Sequence, residues 1–274
     1  MGRKILSGLL WATVAIWTLL FTPIVAVVYV CTAPFDPGHY AAGRLLRICA
    51  MLTVKTNPLW HFRTSGVRIT DPRRPYVAVS NHESFADIFL ISHLPWEMKW
   101  VSKETFFRLP AMGWMMRMAG DIEVQRGSTR GRLRALDGIR DRIAKRVTVM
   151  VMPEGTRSKT GNMLPFQDGA FRVAVETGAP ILPMAVAGTR DAMAKGSLVF
   201  NRARAEVRVL EPVETAGLTV KDVPELRERV RAMIQAARDE LRRELEDRSN
   251  GEPNAAEGGG EPSVRGARQR RREG

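Results

Sequence analysis

The stretch NHESFAD, residues 81–87, places a histidine and a carboxylate between a predicted strand and a predicted helix. The apolar run at 76–79 is typical of a buried strand, and the run at 88–91 begins a helix. Turns of this kind are exposed yet held by a rigid scaffold, which suits binding and catalytic side chains. Because residues five apart diverge on a continuous helix, His82 and Asp87 can meet only if His82 precedes the helix and Asp87 lies in its first turn.

Two interpretations of this stretch are open at this point. In the first, Asp87 fixes the tautomer of the His82 imidazole and stabilises its cation, as in a general-base pair. In the second, Asn81 or Ser84 caps the helix, Asp87 favours the positive end of the helix, and His82 is an ordinary polar loop residue. The rest of the chain has to decide between them.

Strand and helix patterns alternate through the region that follows. Predicted strands lie at 67–70, 76–80, 99–101, 120–125, 147–152, 181–187 and 206–213, the last of them at an edge of the sheet. Predicted helices lie at 84–93, 128–146, 170–177 and 224–247. This alternation favours an α/β fold with a mixed, largely parallel sheet flanked by helices. We therefore predict one such domain over residues 61–248, followed at 249–274 by a disordered basic tail of Gly, Pro and charged residues.

A membrane-associated helical segment is predicted for residues 1–60. Residues 5–31 carry no charge, and a helix that spans a bilayer needs roughly 20 apolar residues. A signal peptide has a shorter apolar core of about 7–15 residues, so we expect a retained anchor. Pro23 can kink or divide the run, which leaves open a single span or a re-entrant hairpin around Pro23. Residues 41–60 favour an amphipathic helix that lies on the membrane or against the domain.

The chain is strongly basic. Its 274 residues include 42 Lys and Arg against 29 Asp and Glu, a formal net charge of +13, which predicts an anionic partner such as a phospholipid surface or a phosphorylated substrate. The basic residues are dispersed rather than grouped with stacking aromatics, so we expect no nucleic-acid partner. A non-catalytic basic protein that binds membrane or nucleic acid is a remote alternative. The two cysteines, Cys31 and Cys49, lack the spacing of a zinc site or a disulfide framework.

A second motif, PEGTRS at residues 153–158, directly follows a predicted strand. Gly155 lets the backbone approach a ligand closely. Thr156, Ser158 and backbone N–H groups can donate hydrogen bonds to phosphate oxygens, and Arg157 can form a charge-assisted fork with them. Taken alone, EGTR is also compatible with a simple turn and a solvated arginine.

Together these motifs resemble the glycerolipid acyltransferases, and within them the 1-acylglycerol-3-phosphate (lysophosphatidic acid) acyltransferases. Residues 81–87 resemble the NHxxxxD block of that family, and residues 153–158 resemble its PEGTRS block. Two further segments, 120–126 and 181–186, resemble the remaining blocks in the right order. The sequence departs from the family pattern at Met152, at the polar triplet 123–125 and at Gln167. None of these departures removes a catalytic group, but they leave open which lysolipid and which acyl donor the protein uses.

The resemblance implies transfer of an acyl group from a thioester, either acyl-CoA or acyl-carrier protein, to the free hydroxyl of a lysophospholipid. His82 is then the general base and Asp87 its partner. No covalent acyl-enzyme is needed, and the sequence has no GxSxG nucleophile motif. No metal or other cofactor is expected. The residues implied to bind the acceptor are Arg126, Glu154, Gly155, Thr156 and Arg157.

The acceptor and the membrane topology stay open. The alternative is a sister enzyme that acts on glycerol 3-phosphate, on another lysophospholipid or on a non-phosphorylated lipid hydroxyl. Arg3 and Lys4 favour a cytoplasmic N-terminus by the positive-inside rule, while Arg44 and Arg47 beyond the apolar run compete with them. We expect an active site that faces the cytoplasm at the cell inner membrane. The Met- and aromatic-rich segment 106–118 suits either an acyl-chain groove or a helix packed in the core.

Overall fold

The sheet is mixed and mostly parallel. The computed structural model describes residues 2–158 and 160–250, and in that part of the chain seven strands form one sheet in the order β1-β7-β6-β2-β5-β3-β4. Their bounds are β1 Trp60–Gly66, β2 Val77–Ser80, β3 Met98–Lys103, β4 Ile122–Val124, β5 Thr148–Val151, β6 Ile181–Ala187 and β7 Ala203–Val209. Neighbouring strands are parallel except β6 and β7. The predicted fold class is confirmed.

Helices cover both faces of this sheet. Their bounds are α1 Gly2–Thr32, α2 Tyr40–Lys55, α3 Asp87–Ile91, α4 Glu104–Phe107, α5 Met112–Met118, α6 Thr129–Ala144, α7 Gly169–Thr177, α8 Thr189–Ala192 and α9 Val223–Asn250. Successive residues of a strand face opposite sides of the sheet. Val77 accordingly shares an apolar cluster with Ile139 of α6 and Ile234 of α9, whereas Ala78 shares one with Leu90 of α3.

One predicted strand and one predicted position in the sheet are wrong. Residues 67–70 lie outside the sheet, because the strand in this region is β1 and ends at Gly66. Gly66 has a φ of 90°, and the N–H of Val67 donates to the carbonyl of Val209 at 2.9 Å, so the chain leaves the sheet here. The strand predicted at 206–213 is β7, which lies between β1 and β6 rather than at an edge.

Helix α1 lies along the domain. It continues through Pro23, which contradicts a hairpin there, and it is the one helix of the described chain long and apolar enough to cross a membrane. At one end the N–H of Phe200 donates to Ser7 Oγ at 3.0 Å, and at the other the rings of Tyr29 and His39 stack with centroids 5.2 Å apart. The opposite face of α1 exposes large apolar side chains: Ile5, Leu9, Ile16, Leu19, Leu20, Ile24, Val27 and Val30.

Helix α2 connects α1 to the domain. Its side chains Leu46, Cys49 and Val54 are buried, so the amphipathic helix predicted at 41–60 packs against protein. At the other end of the chain, α9 includes the first two residues of the predicted tail. The remainder of that tail, 251–274, lies outside the described residues.

Candidate active site

His82 and Asp87 meet at the turn between β2 and α3. His82 precedes the helix and Asp87 is its first residue, which is the arrangement that their spacing requires. His82 Nδ1 lies 2.8 Å from Asp87 Oδ2. The same oxygen accepts backbone hydrogen bonds from Glu83 at 2.9 Å and Ser84 at 3.1 Å, and Oδ1 accepts the hydroxyl of Thr189.

This environment defines what the imidazole can do. The Asp87 side chain is completely buried, whereas that of His82 is 15% exposed. A carboxylate surrounded by donors accepts a hydrogen bond from Nδ1–H, which leaves the Nε2 lone pair of the neutral imidazole free to take a proton. The site therefore has the geometry of a general base that is oriented by a carboxylate.

Glu154 joins the two sequence motifs. Its Oε1 accepts the backbone N–H of His82 at 2.7 Å, and its Oε2 accepts the N–H of Leu164 at 2.9 Å. Burial raises the pKa of the Glu154 carboxyl, while the hydrogen bonds from Leu164 and His82 act in the opposite direction. Because both oxygens hold backbone, Glu154 orients the loop. Gly155 next to it has a φ of 69°, a conformation that favours glycine.

A cavity of about 510 Å³ opens beside His82. Its walls are mainly apolar, and the wall side chains include Ile88, Trp100, Phe106, Leu136, Ile139 and Met152. Gly155 lies on the same cavity, and the cations Lys103, Arg126 and Arg132 line it as well. The arrangement combines an apolar volume, a positively charged boundary and a proton acceptor.

Two arginines lie close enough to influence each other. Burial lowers the pKa of the Arg126 guanidinium, and the positive charge of Arg157 lowers it further. Within the described residues, neither arginine forms an ion pair with a carboxylate. Neighbouring cations without a counter-charge are suited to an anionic group such as a phosphate. Thr156, between Gly155 and Arg157 in the sequence, is exposed.

The segment 106–118 was predicted to form either an acyl-chain groove or a helix packed in the core, and different residues of it do each. Phe106 lines the cavity. Phe107, Met115 and Met116 are buried in a cluster with residues of α1 and α2 and belong to a packed core, whereas Leu109 and Trp114 are exposed.

Sequence reasoning missed Thr189 and a pair of arginines, Arg238 and Arg242. Thr189 follows β6, which is the parallel neighbour of β2, and the ends of parallel neighbours meet at one edge of a sheet. The predicted strands do not give the strand order, which is what brings Thr189 beside Asp87. The two arginines contact Glu83 from α9 at a sequence distance of more than 150 residues.

Comparisons with known proteins identify relatives of this chain. Residues 61–187 match the family model described as Acyltransferase. The chain is 34% identical over 190 residues to 1-acyl-sn-glycerol-3-phosphate acyltransferase alpha of Homo sapiens, a match that covers 68% of this chain and 67% of the human protein. It is 37% identical over 140 residues to the chloroplastic 1-acyl-sn-glycerol-3-phosphate acyltransferase BAT2 of Brassica napus, covering 51% of this chain and 41% of that protein.

A solved structure has the same fold. It is the 1-acyl-sn-glycerophosphate (LPA) acyltransferase PlsC of Thermotoga maritima, with a TM-score of 0.72, 24% identity and coverage of 87% of this chain and 95% of the other. The fold and the matched sequence identify an acyltransferase. More narrowly, the chain belongs to the 1-acyl-sn-glycerol-3-phosphate acyltransferase family.

Proposed function

We propose that this protein transfers a fatty acyl group from an acyl thioester to the free hydroxyl of 1-acylglycerol 3-phosphate, giving phosphatidic acid. One observation carries the proposal: His82, held by Asp87, lines an apolar cavity of about 510 Å³ that Arg126 also lines. The names of the relatives support the same acceptor.

His82 activates the acceptor. Its Nε2 takes the hydroxyl proton, and the oxygen attacks the thioester carbonyl directly. The C–O bond forms, the C–S bond breaks, and the imidazolium returns the proton to the leaving thiolate. Asp87 holds the imidazole and stabilises its positive charge during the step. The two substrates supply every atom of the reaction, so we propose no metal or further cofactor.

The cavity separates the apolar and anionic parts of the substrates. Its apolar wall holds an acyl chain, which gains free energy from leaving water. Arg126 and Arg157 hold the acceptor's phosphate, and Gly155 and Thr156 line its approach. Acyl-CoA and acyl-carrier protein both present the required thioester, and the assay below compares them as donors.

We propose that α1 attaches the protein to an anionic membrane surface. The domain covers one face of α1 from Ser7 to Tyr29, about 33 Å at 1.5 Å per residue. The hydrocarbon core of a bilayer is about 30 Å thick. If α1 crossed it, the part of the domain that packs along α1 would also lie in the hydrocarbon. We therefore infer that the exposed apolar face of α1 enters the membrane from one side. The net charge of +13 favours the anionic cytoplasmic leaflet, so we propose that the active site faces the cytoplasm at the inner membrane.

The test is thiol release by the detergent-solubilised protein. Acyl-CoA and acyl-carrier protein serve as donors, and the acceptors are lysophosphatidate, glycerol 3-phosphate and a monoacylglycerol that lacks the phosphate. We expect release that depends on lysophosphatidate, with at least one donor. Equal release with the monoacylglycerol would contradict a phosphate-binding role for the arginines, and release with glycerol 3-phosphate alone would contradict the proposed acceptor.

A further inference from the structure

A buried ion pair joins the C-terminal helix α9 to the catalytic turn. The side chains of Arg238 and Glu83 are only 3% and 5% exposed, and Arg238 Nε donates to Glu83 Oε1 at 2.9 Å. Arg242 Nη2 donates to the same oxygen at 2.8 Å. Glu83 directly follows His82, and its own N–H donates to Asp87. One member of the ion pair is therefore the residue next to the proposed base.

The same guanidinium also holds the loop that contains Arg157. Arg238 Nη2 donates to the carbonyl of Gly161, and the N–H of Gly161 donates to Ser158 Oγ at 3.0 Å. The N–H of Ser158 in turn lies 3.4 Å from the carbonyl of His82. Two segments that are distant in sequence, the turn after β2 and the loop after β5, thus meet at one buried arginine.

The shape of the arginine side chain suits this task. Its planar fork presents donors in fixed directions, so Nε and Nη2 reach two acceptors simultaneously, whereas a lysine ammonium is a compact point charge. Arg238 is 2% exposed and does not line the cavity that opens beside His82. Any effect of Arg238 on turnover therefore acts through the groups that it holds.

We propose that Arg238, through Glu83 and the carbonyl of Gly161, is a positioning residue for acyl transfer. It fixes the distance between the base His82 and the phosphate-binding Arg157. This inference rests on the proposed function, because the acceptor must bind to Arg157 and present its hydroxyl to His82. Small errors in such a distance are costly, since reacting groups have to be held in near-attack geometry.

The test compares Arg238→Lys with Arg248→Lys in the full-length protein. Arg248 is a matched control, because it lies on the same helix and contacts two carboxylates, Glu206 at 3.0 Å and Glu244 at 3.1 Å, away from the catalytic turn. We expect Arg238→Lys to raise the KM for lysophosphatidate about tenfold and to lower kcat, with the KM for the acyl donor changed by less than about twofold. The control should leave all three constants near the wild-type values.

A second variant separates positioning from folding. Glu83→Gln keeps the size of the side chain and an acceptor oxygen but weakens the hold of Arg238, so we expect the acceptor KM to rise about threefold. The inference is overturned if both variants change only Tm and keep the wild-type acceptor KM, or if Arg248→Lys changes the constants equally. Wild-type protein without any lysophosphatidate-dependent turnover would overturn the proposed function itself.

Discussion

Two buried groups of charged side chains in this molecule differ in how completely their polar atoms are paired. The catalytic network consists of Asp87, Glu154, Glu83 and Arg238. Within the described chain it has no buried side-chain nitrogen or oxygen without a hydrogen-bond partner. Both Asp87 and Glu154 use both carboxylate oxygens as acceptors. Such a network holds its members in one geometry.

The anchor network consists of Arg47 on α2, Glu97, Lys99 on β3, and Asp121. Lys99 Nζ donates to the carbonyl of His39 at 2.7 Å and to Glu97 Oε1 at 3.1 Å, and Arg47 pairs with Asp121. Yet Arg47 Nε, Glu97 Oε2 and Asp121 Oδ2 have no hydrogen-bond partner among the described residues. Burial accordingly raises the pKa of the Glu97 carboxyl and lowers that of the Lys99 ammonium.

This difference in hydrogen bonding indicates that the two networks have different roles. The network without a buried unpaired atom surrounds the proposed base, where geometry determines the rate. The incompletely paired network lies between α2 and the sheet, where it contributes attachment while its unpaired atoms cost stability, about 1–3 kcal/mol for each unsatisfied group. Changes in the first network should reduce turnover, and changes in the second should reduce stability.

Among changes in the two networks, the largest effect is expected at Asp87. In Asp87→Asn the amide cannot replace the carboxylate that fixes the imidazole tautomer, so kcat should fall by about 10³–10⁴. The measurement is thiol release at saturating acceptor, with Tm as the check on folding. If Asp87→Asn keeps the wild-type rate, the catalytic network does not control turnover, and the proposed difference between the two networks is wrong.

The next effect is expected at Lys99. Lys99→Met leaves the Glu97 carboxylate buried without its nearest cation, which should lower the free energy of unfolding by about 3 kcal/mol. Below the unfolding transition, kcat should stay near the wild-type value. Chemical denaturation measures the loss, and the double variant Lys99→Met with Glu97→Leu should recover most of it. If Lys99→Met keeps the wild-type stability but loses most of its kcat, the anchor network acts in turnover, which contradicts this prediction.

A smaller effect is expected at Arg157, whose charge acts on Arg126 at the edge of the cavity. Arg157→Ala should raise the KM for lysophosphatidate about tenfold, because one charge-assisted contact to phosphate is lost. Arg130→Ala is the control, since Arg130 is an exposed cation that, unlike Arg157, does not contribute to the lowered pKa of Arg126. An increase confined to the donor KM would move Arg157 to the donor site.

The smallest effect concerns pH and the anchor network. The pKa of His39 lies below its ordinary 6.5, because of burial and the charges of Arg142 and Lys99. The folded protein therefore binds fewer protons at His39 than the unfolded chain, so stability should decline as the pH falls through 6.5. His39→Asn, which tolerates the φ of 53° at this position, should reduce that decline in Tm scans. An identical decline in the variant would exclude His39 as its source.

Sequence reasoning reached the His82–Asp87 contact because both residues lie in one short turn, where spacing determines geometry. The burial of Arg238 can be predicted from the sequence, because Arg238 follows Ile234 by four residues and the helical repeat places both on the buried face of α9. The burial of Lys99 could not be foreseen, since lysine is almost never fully buried unless it is paired. Its partners include the His39 carbonyl, 60 residues away, and only the fold brings them together.

The role of His82 as the base is the central claim, and one variant tests it most directly. Thiol release from acyl-CoA or acyl-carrier protein, with and without lysophosphatidate, should be measured for wild type and His82→Ala side by side. We expect lysophosphatidate-dependent release in the wild type and a loss of about 10⁴ in the variant, no smaller than the loss in Asp87→Asn, with Tm nearly unchanged. A folded His82→Ala protein that retains wild-type turnover would contradict it.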